Sequence, residues 1–235
     1  RPYMLMNYTD RMDDVMTLAH ELGHGMHFTL SAERQTALSF HTGLALAEVP
    51  STFAELIAFD HLMATEQDEA TRTALVCERV EGSFATVFRQ TVLARYEQDA
   101  YRARAEGATL TDERLSGFWL ARNAAYYGDA MEIPDGYRLG WSYIPHFIST
   151  RFYTYAYVFA HLVTLALYAR YREDGDAFVG RYLEFLSAGG SAAPADLLRP
   201  LGVDLADPAC WDPGFSEMER MVGRAEQMTE GTTVT

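Results

Sequence analysis

Residues 17–28 read Thr17-Leu-Ala-His-Glu-Leu-Gly-His-Gly-Met-His-Phe28, and the surrounding stretch Asp10 to Leu30 has no internal proline. Val15, Leu18, Ala19, Leu22 and Met26 recur at near-helical spacing, so an α-helix is predicted. On a helix, residues i and i+4 lie one turn apart on the same face. His20 and His24 of this H-E-x-x-H can therefore both reach one tetrahedral metal ion at about 2.0–2.1 Å, and zinc is the ion that suits them. Glu21 stands beside them, where its carboxylate can take a proton from an attacking water, the general-base role the motif implies in metalloproteases. At this composition the motif arises by chance about 0.02 times per chain. The competing reading is a buried helix whose histidines are hydrogen-bonded for structural reasons.

A catalytic zinc needs a third protein ligand and one open position. His27 shares the face, but at 1.5 Å rise per residue it sits about 10 Å along the axis from His20, too far for one ion to hold both. The metzincin pattern requires glycine and histidine three and six residues after the second histidine; His27 and Leu30 stand there instead, which excludes it. A carboxylate from another helix remains. Glu48, in Ala47-Glu-Val-Pro-Ser-Thr-Phe-Ala-Glu55, follows a loop long enough to bring a second helix back against the first. Glu55, on the same face two turns later, suits a partner for a ligating imidazole. The plainer reading of Glu48 is a favourable acid at a helix N-terminus.

The 235 residues, 49% of them hydrophobic, suffice for a sizeable core. The most apolar run, Val158 to Leu167, contains His161 and Thr164 and falls far short of the roughly 20 apolar residues of a membrane span. A net charge of −14 argues against nucleic acid or an anionic membrane as a partner, since both reward a basic face. Two cysteines, Cys77 and Cys210, make neither a disulfide framework nor a thiolate metal site, which fits a reducing compartment such as the cytoplasm. The chain opens Arg1-Pro-Tyr-Met-Leu-Met-Asn-Tyr8, without initiator methionine or signal-peptide pattern, and is expected to be a piece of a longer protein.

Further along, helices are predicted over Glu48 to Thr65, with Pro50 in the first turn, over Glu69 to Arg104 and over Thr111 to Tyr126. Gly128 to Pro145 reads as a long irregular segment holding Tyr137, Trp141 and Tyr143. Helices follow over Phe152 to Tyr171 and Asp176 to Leu186, the latter stopped by Gly189-Gly190. Asp212 as N-cap with Pro213 at the first helical position opens a last helix to Met228. With no βαβ alternation and no repeat, the class is mainly α, with little β. A single helical domain over residues 1–228 with a frayed tail over 229–235 is expected.

Tyr153, Tyr157 and His161 are spaced i, i+4, i+8 and share a face, whereas Tyr155, Phe159 and Leu162 lie on another. Aromatic stripes chiefly pack interiors. A phenol facing zinc, however, would donate to the oxyanion formed when water attacks a peptide carbonyl, and His146 beside Pro145 could add a second donor or be a surface histidine.

The segments Asn7-Tyr-Thr, Asp13-Asp-Val, Thr17 to His27 and Ala47 to Glu55 resemble the catalytic half of the oligoendopeptidase F and thimet oligopeptidase family of zinc metallopeptidases. The likeness continues in order through Tyr127-Gly-Asp-Ala, Trp141-Ser-Tyr-Ile-Pro-His-Phe147, Phe152-Tyr-Thr-Tyr-Ala-Tyr157 and Leu186-Ser-Ala-Gly-Gly-Ser191, most of the chain. It implies a mainly helical gluzincin-type hydrolase that cuts oligopeptides, with His20, His24 and Glu48 on zinc and Glu21 as base. The family's substrate-holding histidine and tyrosines fall on His146 and Tyr157, and also on Tyr153 and Tyr155. Two departures stand out: the spacing from His146 to Phe152 is longer than in oligoendopeptidase F, and family members carry an N-terminal half that walls the substrate channel. The rival readings are a zinc- or peptide-binding piece that needs that half, a helical module with an incidental motif, and a metal hydrolase of another kind such as an aminopeptidase.

Overall fold

The computed structural model describes residues 2–230, and all regular structure among them is helical. The main helices are α1 (Met12–Arg34), α2 (Leu44–Ala47), α3 (Val49–Thr65), α4 (Glu69–Phe84), α5 (Gln90–Ala105) and α6 (Asp112–Tyr127). A short α7 (His146–Ser149), the long α8 (Thr154–Asp174), α9 (Asp176–Ser187), α10 (Pro194–Leu198) and α11 (Asp212–Thr229) complete the set. The chain divides into two compact units, residues 1–83 with 159–235 and residues 84–158. No helix of the described residues is long and apolar enough to cross a membrane.

In the first unit α1 packs along α3 and also meets α9. The α1 face that turns inward is unusual in being small and polar: Gly23, His27 and Ser31 are buried. The apolar residues that mark the helix in the sequence behave differently, since Leu18, Leu22 and Met26 are exposed. A close helix crossing requires small residues at the contact, so the larger apolar ones are turned away. Asp14, in the first turn of α1, accepts the Thr9 and Arg11 backbone N–H groups at 2.7 and 3.0 Å, the second being the N-cap donor that a helix start leaves open. The core of the unit is aromatic where α3, α8 and α9 meet: Phe53 stacks on Tyr182 at 4.4 Å and lies edge-on to Tyr168 at 5.4 Å. A second cluster joins Phe59 and Met63 of α3 to Leu75 and Val76 of α4, with Met12, Met16 and Met228 against it.

The second unit packs α5 and α6 around Leu93, Tyr96, Trp119 and Ile144. The predicted continuous helix from Glu69 is interrupted by a π-helical turn over Ala85–Arg89. The segment expected to be irregular carries a 3-10 run over Asp135–Tyr143, whose Gly140 passes so close to Trp119 that a β-carbon would fall 2.8 Å from the indole Nε1.

Boundaries move elsewhere too. α1 runs on to Arg34, beyond the predicted Leu30, because Ser31 on its buried face donates to Phe40 O at 2.7 Å and keeps the last turn packed. Asp212 is not an N-cap: Trp211 holds that place, as a 3-10 turn over Pro208–Trp211 leads straight into α11. Of the tail expected to fray, residues 231–235 lie outside the described residues.

Candidate metal centre

His20 and His24 project from one face of α1, as their spacing requires, and their Nε2 atoms lie 3.2 Å apart. Glu48 sits at the junction of α2 and α3, with φ −90° and ψ −4°. Its Oε2 lies 3.4 Å from each of the two Nε2 atoms. A tetrahedral ion with ligand bonds of about 2.0–2.1 Å has ligand–ligand edges of about 3.3–3.4 Å. The three donor atoms thus have the spacing of one tetrahedral face, and two imidazoles with a carboxylate are a donor set that suits zinc. Among the described residues this is the cluster of histidine, cysteine and acidic side chains able to hold a metal ion.

What brings Glu48 to α1 is a glycine. A β-carbon on Gly23 would stand 2.7 Å from Ser51 Cα and would also collide with the Pro50 carbonyl, so the two helices touch backbone to backbone there. Ser51, fully buried, then donates from Oγ toward both Glu48 Oε2 and Glu48 O at 3.0 Å. Neither residue stands out in the sequence except as the third residue after His20 and after Glu48.

Behind the histidines lies a chain of charged groups. Glu55 Oε1 accepts from His20 Nδ1 at 2.7 Å, and its Oε2 accepts from Arg79 Nη1 at 2.9 Å. Glu55 thus occupies the place expected of a partner for a ligating imidazole, while Arg79, on α4, is a participant that sequence spacing does not reveal. Burial opposes the imidazolium of His20, but hydrogen bonds to Glu48 and Glu55 outweigh it and push its pKa up to about 10. Hydrogen bonds from His20 and His24 hold Glu48 well below the usual carboxylate range. His27 is buried at 3% exposure, and desolvation takes its pKa down to about 4, in keeping with a neutral packing residue.

Glu21 stands between two openings. One, of about 450 Å³, lies between α1 and the segment Pro2 to Met4 and is lined by Glu21, Leu22, His24 and Met26. The other, of about 550 Å³, is lined by Asp13, Thr17, His20, Glu21 and Glu55. Glu21 thus lines both openings, with His24 on the first and His20 on the second.

The remaining candidates gather in the second unit. Tyr157 Oη lies 3.4 Å from His146 Nε2, Tyr153 stacks on His146 with ring centroids 5.7 Å apart, and Tyr153 meets Tyr157 at 4.8 Å. Phe152, which precedes them, has φ +58°, a strained value for a non-glycine. Its N–H donates to the buried Glu97 at 2.8 Å and its ring packs on Tyr101 at 4.6 Å, so α5 holds the turn in place. Tyr155 is half exposed and does not join the cluster. His161, further along α8 and in the first unit, is buried, with its pKa brought down to about 3, by burial first and then by Arg79, with Glu55 acting in the opposite sense.

Residues 1–217 match the model of peptidase family M3. The chain belongs to that family. It is 34% identical to oligopeptidase PepF of Bacillus subtilis over 96% of this chain and 35% of that protein. It is also 32% identical to the plasmid-borne oligoendopeptidase F of Lactococcus lactis, over 97% of this chain and 38% of that one. Among solved structures, oligoendopeptidase F from Enterococcus faecium superposes with a TM-score of 0.79 at 30% identity, over 93% of this chain and 40% of that chain. A peptidase from Chlamydophila abortus superposes with a TM-score of 0.84 at 28% identity, over 94% and 37%. The M3 chain described here thus spans little more than a third of the length of these relatives.

Proposed function

We propose that this M3 chain carries the active centre of a zinc-dependent metalloendopeptidase that hydrolyses peptide bonds in short peptides. The observation behind the reading is the set of three donor atoms, His20 Nε2, His24 Nε2 and Glu48 Oε2, spaced 3.2–3.4 Å apart beside an accessible Glu21. Zinc, when bound, supplies a Lewis acid that polarises the scissile carbonyl and acidifies water. The protein's own groups do the rest. Glu55 takes the Nδ1–H of His20 and so leaves Nε2 with its lone pair for the metal. Glu21 removes a proton from the attacking water and returns it to the leaving amine. Tyr157, with His146 and Tyr153 around it, carries a phenol donor of the kind that would stabilise an oxyanion.

A second reading is favoured by one fact, the coverage of only 35–38% of the relatives' length. In it the 235 residues bind zinc and peptide, but efficient cleavage needs the N-terminal portion that such relatives carry. Elemental analysis of the purified chain, with cleavage of an internally quenched peptide in the presence and absence of chelator, separates the readings. One zinc per chain with chelator-sensitive cleavage supports the first. Zinc with cleavage only after a complementary N-terminal fragment is added supports the second. Absence of zinc overturns both, and cleavage of amino-blocked as well as free peptides distinguishes an endopeptidase from an aminopeptidase.

A further inference from the structure

Arg79 lies on α4, in a different helix from each of the groups it serves. Only 12% of its side chain is exposed, and Nη1 donates to Glu55 Oε2 at 2.9 Å. Its Nε and Nη2 are buried without a hydrogen-bond partner. A guanidinium is costly to desolvate with donors unmatched, so its place here calls for a compensating role. The charge it faces is Glu55, four-fifths shielded at the side chain, whose other oxygen is committed to His20 Nδ1 at 2.7 Å.

We propose that Arg79 is a positioning residue for the metal centre: by engaging Glu55 Oε2 it locks the carboxylate so that Oε1 can only receive the Nδ1–H of His20, which directs the lone pair of His20 Nε2 toward His24 and Glu48. The inference rests on the zinc reading above and extends it one residue outward. A carboxylate with one free oxygen can rotate about its last bond and offer either oxygen, or neither, to the imidazole. The hydrogen bond from Arg79 Nη1 to Oε2, added to that from His20 Nδ1 to Oε1, ties down both oxygens and restricts that rotation. Once the rotation is restricted, the imidazole tautomer and ring angle are restricted with it. Because α4 carries the guanidinium and α3 carries the carboxylate, the orientation of a ligand on α1 depends on three helices.

The test is zinc affinity, measured by chelator competition on the whole 235-residue chain, in wild type, Arg79→Met, Glu55→Gln and the double variant. Arg79→Met is expected to weaken zinc about 10–100-fold, the range seen when an outer partner of a ligating histidine is lost. If Arg79 acts through Glu55, adding Arg79→Met to Glu55→Gln costs at most about twofold more, because the cycle is strongly non-additive. Arg79→Lys, which keeps the charge, should recover part of the affinity. Circular dichroism checks each fold, and should Arg79→Met not fold, Arg79→Gln takes its place, with the same weakening expected. Wild-type zinc affinity in the folded variant, or additive losses in the cycle, overturns the role of Arg79 while leaving the metal centre standing. Failure of the wild type to bind zinc overturns both.

Discussion

Gly23 of α1 and Ser51 of α3 meet backbone to backbone, with room for no side chain between them: a β-carbon on the glycine would lie 2.7 Å from Ser51 Cα. This contact sets how far Glu48 stands from His20 and His24, since Glu48 lies only three residues before Ser51. Gly23→Ala should therefore cost about 1–3 kcal/mol of stability through overpacking, despite alanine's better helix propensity, and should weaken zinc binding as α3 is pushed away. Gly25, with nothing within 4 Å of its β-position, is the control: Gly25→Ala should be neutral or stabilising by up to about 1 kcal/mol. Urea unfolding and zinc titration of the two variants check this.

The duties proposed for Glu21 and Glu48, base and metal ligand, are separable. Glu21→Gln should retain zinc and lose cleavage by about 10²–10⁴-fold, the usual worth of a positioned general base. Glu48→Ala should lose zinc by more than the roughly 10–100-fold that follows removal of an outer partner. Metal analysis alongside kcat/KM for each variant decides; normal turnover by Glu21→Gln would falsify the general-base assignment.

In the second unit, Tyr157 and His146 lie 3.4 Å apart through Oη and Nε2. If the phenol serves the transition state, Tyr157→Phe lowers kcat by about 10²–10³-fold while leaving KM and zinc content nearly unchanged. A rise in KM with unaltered kcat would instead assign the tyrosine to ground-state peptide binding.

Acid sensitivity should come in part from His161. Its pKa, brought down to about 3 in the fold, lies below the unfolded value of about 6.5. The unfolded chain then binds the extra proton between those values, so the stabilisation is complete above pH 6.5 and declines as pH falls toward 3. From pH 7 to pH 5 this amounts to roughly 1–2 kcal/mol. Chemical denaturation of His161→Gln should show a smaller loss over that interval than the wild type; an equal loss in both would assign the acid sensitivity to other groups.

The relation between His20, Glu21 and His24 follows from helix geometry, because residues four apart on an uninterrupted α-helix must share a face. Thr17 to Phe28 therefore carried its own three-dimensional content, and the mainly helical class was readable from the same periodicity in the later segments. Pro50 at a helix start and Glu55 two turns after Glu48 were likewise legible, as both depend on positions within a single helix. The inward face of α1 was not: periodicity pointed to Leu18, Leu22 and Met26, whereas the crossing with α3 selected Gly23, His27 and Ser31. Nor could spacing disclose Ser51's hydrogen bonds to Glu48, the reach of Arg79 across 24 residues to Glu55, or the clamp of Glu97 on the strained Phe152. Local sequence determined which residues lie on one helical face, because backbone hydrogen bonding repeats on a fixed short period. Only tertiary packing decided which faces meet and at what distance, because that depends on volumes and partners contributed by segments far apart in the chain.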